Sequence, residues 1–173
     1  GNEIITGGSK YGAHDVPTDD LIAEFYELAT ERLHEIGIHR YEISNFARAG
    51  CESLHNLKYW RLQPYVGFGS DAHSYDGTLR WQNVESPAIY VQRVQEEKSP
   101  VESTTKADPL SERFFVGLRL TEGIRPEPSD WVRFEDPINR FLSEGLLERD
   151  HDILRLTPRG VLLSNEVFAE FVL

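Results

Sequence analysis

Apolar residues recur at helical spacing early in the chain: Ile22, Phe25, Tyr26, Ala29, Leu33 and Ile36 fall on one face. Thr18 offers an N-cap oxygen ahead of them. Asp19 and Asp20 occupy the first turn, where the helix dipole favours anions, and Gly37 is a C′ stop. The pattern predicts a helix from Thr18, then a short β-prone run, Ile38 to Ile43, with Tyr41 and Ile43 on one side. Helix, glycine and strand in that order form an α/β unit, as in a parallel sheet or barrel. Gly1 to Pro17 shows no period and reads as a loop.

Residues 44–83 lose the periodicity and gain aromatic and polar side chains, which is how site-forming loops read. Val66 to Phe68 is predicted as a short buried strand ending at Gly69. Ser86-Pro87 opens a helix to about Glu97, with Tyr90, Val91 and Val94 inward. The polar stretch Ser99 to Asp108 reads as a linker. A second pattern follows. Asp108-Pro109 caps a helix through Leu120, and Asp136-Pro137 opens another, closed by Gly145. Leu146 to Glu148 and Ile153 to Leu156 flank a hairpin tip, Asp150-His151-Asp152. Thr157-Pro158 caps a last helix carrying Val161, Val167, Phe168 and Phe171. Helices, a hairpin and a closing helix make a winged-helix-like order.

Composition narrows the functions. The 173 residues hold 29 acidic against 18 basic side chains, a net charge of -11. The balance is uniform, -6 over residues 1–106 and -5 over 107–173, so neither part is a basic module. Nucleic acid and anionic membrane are both disfavoured, because each needs a basic surface. Glu135 and Asp136 beside Pro137 count further against DNA on the winged-helix-like part. No apolar run reaches the ~18 residues of a membrane span and no signal peptide is visible, so the expected compartment is the cytoplasm or an organelle matrix. There is one Cys and no Met, not even at the first position, which reads as a processed chain or a piece of a longer protein. A single Cys also excludes an internal disulfide or a cysteine-held cluster within this chain.

The densest chemistry is His55-Asn56-Leu57-Lys58-Tyr59-Trp60. An imidazole can ligate iron, neighbouring rings can shield a flat macrocycle, and Asn56 can orient the imidazole. The same residues equally describe packed aromatics with satisfied hydrogen bonds, and composition alone favours that reading. Cys51 lies four residues before His55 and on a helix would share its face, but two ligands make a weak metal signal. Gly67-Phe68-Gly69, running on to His73-Ser74, either brings backbone close to a ligand or makes a tight turn. Glu42 and Asn45, at the end of the first strand, stand where barrel strands carry active-site groups, though a solvent-facing Glu42 fits as well. His14, His34, His39 and His151 read as surface groups.

Together the motifs resemble a known family. Tyr41-Glu42-Ile43-Ser44-Asn45-Phe46-Ala47, His55-Asn56-x-x-Tyr59-Trp60, Gly67-Phe68-Gly69-x-x-Ala72-His73-Ser74 and Arg80-Trp81-x-Asn83 occur in order. Gly117 to Gly123, Glu144 to Leu147, Leu156 to Gly160 and Ser164-Asn165 follow. From about Asp19 onward the chain resembles the C-terminal portion of HemW-like heme chaperones of the radical SAM superfamily, relatives of the oxygen-independent coproporphyrinogen III dehydrogenase HemN.

The resemblance implies an α/β fold: residues 1–100 as the last units of a partial (β/α) barrel, and residues 107–173 as a HemN-type winged-helix-like domain. It implies heme held through His55 as iron ligand, with Asn56, Tyr59, Trp60, Gly67, Gly69 and His73 around it. It implies a [4Fe–4S] cluster and S-adenosylmethionine in the parent, on a Cys-x-x-x-Cys-x-x-Cys loop this chain lacks. Implied partners are heme and heme-accepting respiratory apoproteins. An open partial barrel also leaves an edge free for self-association, such as a homodimer. Asp71 departs from the small residue usual at its position, putting a close approach at Gly69 in question, and Cys51 lies outside the pattern. The rival readings are a HemN-type coproporphyrinogen III oxidase and a non-catalytic docking module.

Overall fold

A computed structural model describes residues 17–172. The loop expected for Gly1 to Val16, and His14 within it, lie outside the described residues. Among the described residues, those up to His39 form one compact unit and those from Arg40 onward another.

In the first unit, helix α1 (Asp19–Glu35) starts as the sequence predicts, with Thr18 Oγ1 accepting from Leu21 N at 3.3 Å. None of its residues is fully buried. His34 and His39, read as scattered surface groups, bring their Nδ1 atoms to 2.9 Å.

The expected strand Ile38 to Ile43 is reduced to β1 (His39–Arg40), because the chain turns at Glu42 to make β2 (Phe46–Ala47). Ser53 caps the two-turn helix α2 (Leu54–Trp60), which is too short to show a period in sequence. The Val66 to Phe68 strand does not form: Phe68 is 86% exposed and the segment is loop. An antiparallel meander follows, β3 (His73–Tyr75), β4 (Leu79–Asn83) and β5 (Val101–Lys106), with Ser74 opposite Trp81 and Trp81 opposite Thr104. The segment expected as a linker is thus mostly strand. Its side chains are nearly all exposed, so it carries no apolar signature, and its backbone pairing with β4 makes it a strand. Between β4 and β5 lies α3 (Pro87–Gln95), capped by Ser86 as predicted, but Val91 and Val94, expected inward, are exposed.

The remaining chain holds the main core. Helix α4 (Pro109–Gly117) is capped by Asp108 and ends before the expected Leu120. A short α5 (Pro128–Arg133), not read from sequence, precedes α6 (Glu135–Ser143). The hairpin forms where predicted, β6 (Leu147–Asp150) with β7 (Ile153–Leu156), its tip His151 in the left-handed region at φ 56. The last helix is broken at Leu163 into α7 (Pro158–Leu162) and α8 (Ser164–Ala169). Phe114 stacks on Phe171 at 4.8 Å, Phe134 meets both rings, and Phe141 meets Phe171. Phe114 and Phe171 have no exposed surface. Burying rings this large adds to the apolar stabilisation supplied by the buried Leu118, Ile138, Leu147, Leu154 and Val167 around them.

Candidate functional site

Helix α2 sets the geometry. Its N-terminus is fixed by Ser53 Oγ, which accepts from Asn56 N at 3.3 Å. Two turns place His55 and Tyr59 one above the other, four residues apart. Their rings meet edge-on at 4.8 Å, and Tyr59 Oη lies 3.0 Å from His55 Nε2. His55 is exposed, while Asn56, Tyr59 and Trp60 are half-buried. Cys51 is exposed and precedes the helix, so it does not share the helical face with His55.

Tyr59 begins an aromatic run. Its ring is 4.5 Å from that of Tyr65, and Tyr65 is 6.4 Å from Tyr75. Tyr65 and Tyr75 exchange backbone bonds of 2.8 and 2.9 Å, so the loop leaving α2 is pinned to β3. Arg80 sits over the Tyr75 ring at 4.4 Å and donates to Tyr65 Oη at 3.3 Å and to both carboxylate oxygens of Glu112 on α4. The hydrogen bond to Glu112 holds the Arg80 guanidinium above its ordinary pKa. Burial raises the Tyr75 phenol, and the Glu112 charge adds to it. A cavity of about 380 Å³ opens between Tyr59, Trp60, Tyr65, Tyr75 and Phe115, with the Arg80–Glu112 pair in its wall. That size and an aromatic lining with a few convergent polar groups suit a small-molecule site.

Trp60 lines this cavity and also meets a second group. The Arg119 guanidinium lies over its ring at 4.4 Å, and Arg119 Nη2 lies 3.6 Å from Glu42 Oε2. Glu42 is fully buried, which settles the choice between a solvent-facing and a site-facing carboxylate in favour of the interior. Its Oε1 accepts from Ser44 N at 2.9 Å and Asn45 Nδ2 at 2.5 Å. Glu42 also bridges Leu120, and Thr121 N donates to Tyr41 O at 3.1 Å. Three buried polar atoms of this cluster, Glu42 Oε2, Trp60 Nε1 and Arg119 Nε, lack a hydrogen-bond partner.

Gly67, Gly69 and His73 form a separate group. A Cβ at Gly67 would lie 2.3 Å from His73 O, so this glycine serves the close crossing of the chain over its own strand β3. Gly67 N donates to Ser74 Oγ at 2.9 Å. Gly69, at φ 104, has nothing within 4 Å of a Cβ, and its carbonyl accepts from Asn83 Nδ2 at 2.9 Å. Asp71 takes up Gln82 Nε2 at 2.6 Å, and it leaves the space at Gly69 open. His73 is exposed on β3, opposite Gln82. The two groups are joined through the Tyr59–Tyr65 ring contact.

The structure therefore brings His55 to Tyr59 and turns Trp60 toward Arg119. Sequence reasoning missed Tyr65, Arg80, Glu112 and Arg119 as neighbours of these residues. Arg119 gives the one local signal, a charged residue between Leu118 and Leu120, both buried. Among the described residues, no group of three His, Cys, Asp or Glu side chains could hold a metal ion. Among the same residues, no helix is long and apolar enough to cross a membrane.

Comparison with known proteins gives one consistent answer. The HemN C-terminal domain matches residues 104–163. The chain is 36% identical to the heme chaperone HemW of Bacillus subtilis, over 93% of this chain and 45% of that protein. It is 37% identical to the heme chaperone HemW of Mycobacterium tuberculosis, over 91% of this chain and 41% of that protein. Its fold matches the Escherichia coli radical SAM enzyme coproporphyrinogen III oxidase (HemN) with a TM-score of 0.68 at 17% identity, over 91% of this chain and 42% of that one. The chain spans a little under half the length of these relatives. A HemN C-terminal domain, HemW relatives along nine-tenths of the chain and a mixed α/β fold shared with HemN place this protein in the HemW-like family, of which it represents a portion.

Proposed function

We propose that this chain is the heme-binding portion of a HemW-like radical SAM protein that hands heme to respiratory apoproteins. The observation that carries the reading is His55, an exposed imidazole on a short capped helix, edge-on to an aromatic residue that lines a cavity. The donor set fits an iron porphyrin: a neutral nitrogen for the iron and flat rings for the macrocycle. In this reading His55 ligates iron and Tyr59 and Trp60 form the wall beside it. Asn56, Gly67, Gly69 and His73 contribute from the neighbouring turn and loop. Both HemW relatives named above bear the name heme chaperone, which supports heme as the cargo and apoproteins as the acceptors.

The parent protein would hold a [4Fe–4S] cluster and S-adenosylmethionine outside this chain, which contains one cysteine. Together they supply one-electron chemistry, and residues 1–100 would be the last units of the partial barrel that holds them, with residues 107–173 as the HemN-type C-terminal domain. The cytoplasm, or an organelle matrix, suits such a protein.

Hemin titration of the full-length protein tests the reading. A Soret band that grows to saturation in the wild type and is weakened by His55→Ala is the expected result, and an unchanged band in the variant sinks the assignment. The HemN-type rival has the shared fold in its favour. Cluster-loaded full-length protein with S-adenosylmethionine should leave coproporphyrinogen III unchanged, and conversion would move the reading to the enzyme.

A further inference from the structure

The nitrogen by which His55 would take a metal already has a partner. Tyr59 Oη lies 3.0 Å from His55 Nε2, at hydrogen-bond distance. A neutral imidazole nitrogen is the better acceptor of the two groups and a phenol the better donor, so Tyr59 donates and the ring proton rests on Nδ1. The phenol is held in place. Its ring packs edge-on against Tyr65 at 4.5 Å, and Tyr65 is fixed by backbone bonds to Tyr75 and by Arg80. Rotation of the hydroxyl proton alone does not free the nitrogen, because the oxygen still stands 3.0 Å from Nε2.

We infer that Tyr59 is an internal cap on His55: its hydroxyl occupies Nε2 in the free protein, and a metal or electrophile reaches that nitrogen only by displacing it. The cap itself stands on geometry. Its consequence for heme rests on the function proposed above. For heme, part of the binding free energy is spent displacing Tyr59, which lowers affinity in the resting protein and eases release to an acceptor. A net hydrogen bond of ordinary strength corresponds to about two- to tenfold in affinity.

Tyr59→Phe removes the hydroxyl and keeps the ring against Tyr65, and two measurements on the full-length protein read the result. The first is independent of heme. Diethyl pyrocarbonate carbethoxylates accessible imidazole nitrogens, and peptide mass spectrometry gives the rate at His55 relative to the exposed His151. The variant should label His55 about two- to tenfold faster, and an equal or slower rate overturns the cap. The second is hemin titration, in which Tyr59→Phe should bind about two- to tenfold more tightly. Equal or weaker binding overturns the consequence for heme. If His55→Ala leaves hemin binding unchanged, the functional reading falls, and the labelling rate alone then decides the cap.

Discussion

Replacing Arg119 by Ala strands a buried carboxylate. Glu42 is fully buried, and the only charge facing its Oε2 among the described ion pairs is Arg119 Nη2 at 3.6 Å. At that separation two unit charges attract by roughly 4–5 kcal/mol with an effective dielectric constant near 20. Removing one partner of a buried pair typically costs about 3–5 kcal/mol, because the remaining charge is left uncompensated. The Arg119 side chain is 25% exposed, so water screens part of the attraction, and Oε1 keeps its bonds from Ser44 N and Asn45 Nδ2. The expected loss is therefore about 2–3 kcal/mol, including the guanidinium lost from the Trp60 face. For a chain of this size that lowers Tm by roughly 4–12 °C. Glu42→Gln keeps the volume and removes the charge, and should cost about 1 kcal/mol alone. Urea unfolding followed by tryptophan fluorescence, run on both single variants and the double, isolates the pair. A coupling of about 1–2 kcal/mol is expected, with the double variant less destabilised than the sum of the singles. Coupling below about 0.5 kcal/mol, or an Arg119→Ala effect no larger than that of an ordinary surface residue, would refute the reasoning.

Two further predictions rest on local geometry. At Gly160 an added Cβ would lie 1.9 Å from Leu146 O, a backbone atom tied to Thr157 N at 3.0 Å, so Gly160→Ala should cost about 3 kcal/mol or more, seen as a lower urea midpoint at unchanged slope. Relief by a flexible side chain is not available there, and a variant as stable as the wild type would disprove the contact. At Asp76, hydrogen bonds from the Leu79 and Thr78 backbone amides hold the carboxyl below its ordinary pKa. A lowered folded value means that this turn contributes stability above the ordinary carboxylate pKa and loses it as pH falls through the folded value. A carboxyl-carbon NMR titration should place the Asp76 midpoint below the usual range, and Asp76→Asn should remove this part of the acid dependence.

What the sequence revealed follows the range of the interaction involved. The caps at Thr18, Ser86, Asp108 and Thr157 were legible because each acts within three residues of itself, and all four accept the expected backbone proton. The β6–β7 hairpin was legible for the same reason. Strand β5 was not, because pairing with β4 defines it while its side chains face water. Val66 to Phe68 misled in the opposite direction: its residues favour strands, but no neighbour pairs with them in the described sheet. The site shows the same division. The motif of His55, Tyr59 and Trp60 could be read from the sequence, but the helix that sets His55 against Tyr59 could not, because seven residues are too few to show a period. The turn of Trp60 toward Arg119, and of Arg119 toward Glu42, depends on segments distant in the chain, so no local pattern encodes it. The short motif therefore serves two surfaces. His55 is exposed, and the half-buried Tyr59 stands against it, where the phenol controls access to the imidazole. Trp60 also meets Arg119, which lies inside the region matched by the HemN C-terminal domain and pairs with Glu42 outside it. A helix of seven residues has little stability of its own. The packing of Trp60 against Arg119, together with the buried Leu57, is what keeps α2 formed and His55 presented. The C-terminal domain thus acts on the proposed ligand without touching it, through the opposite face of the helix that carries it.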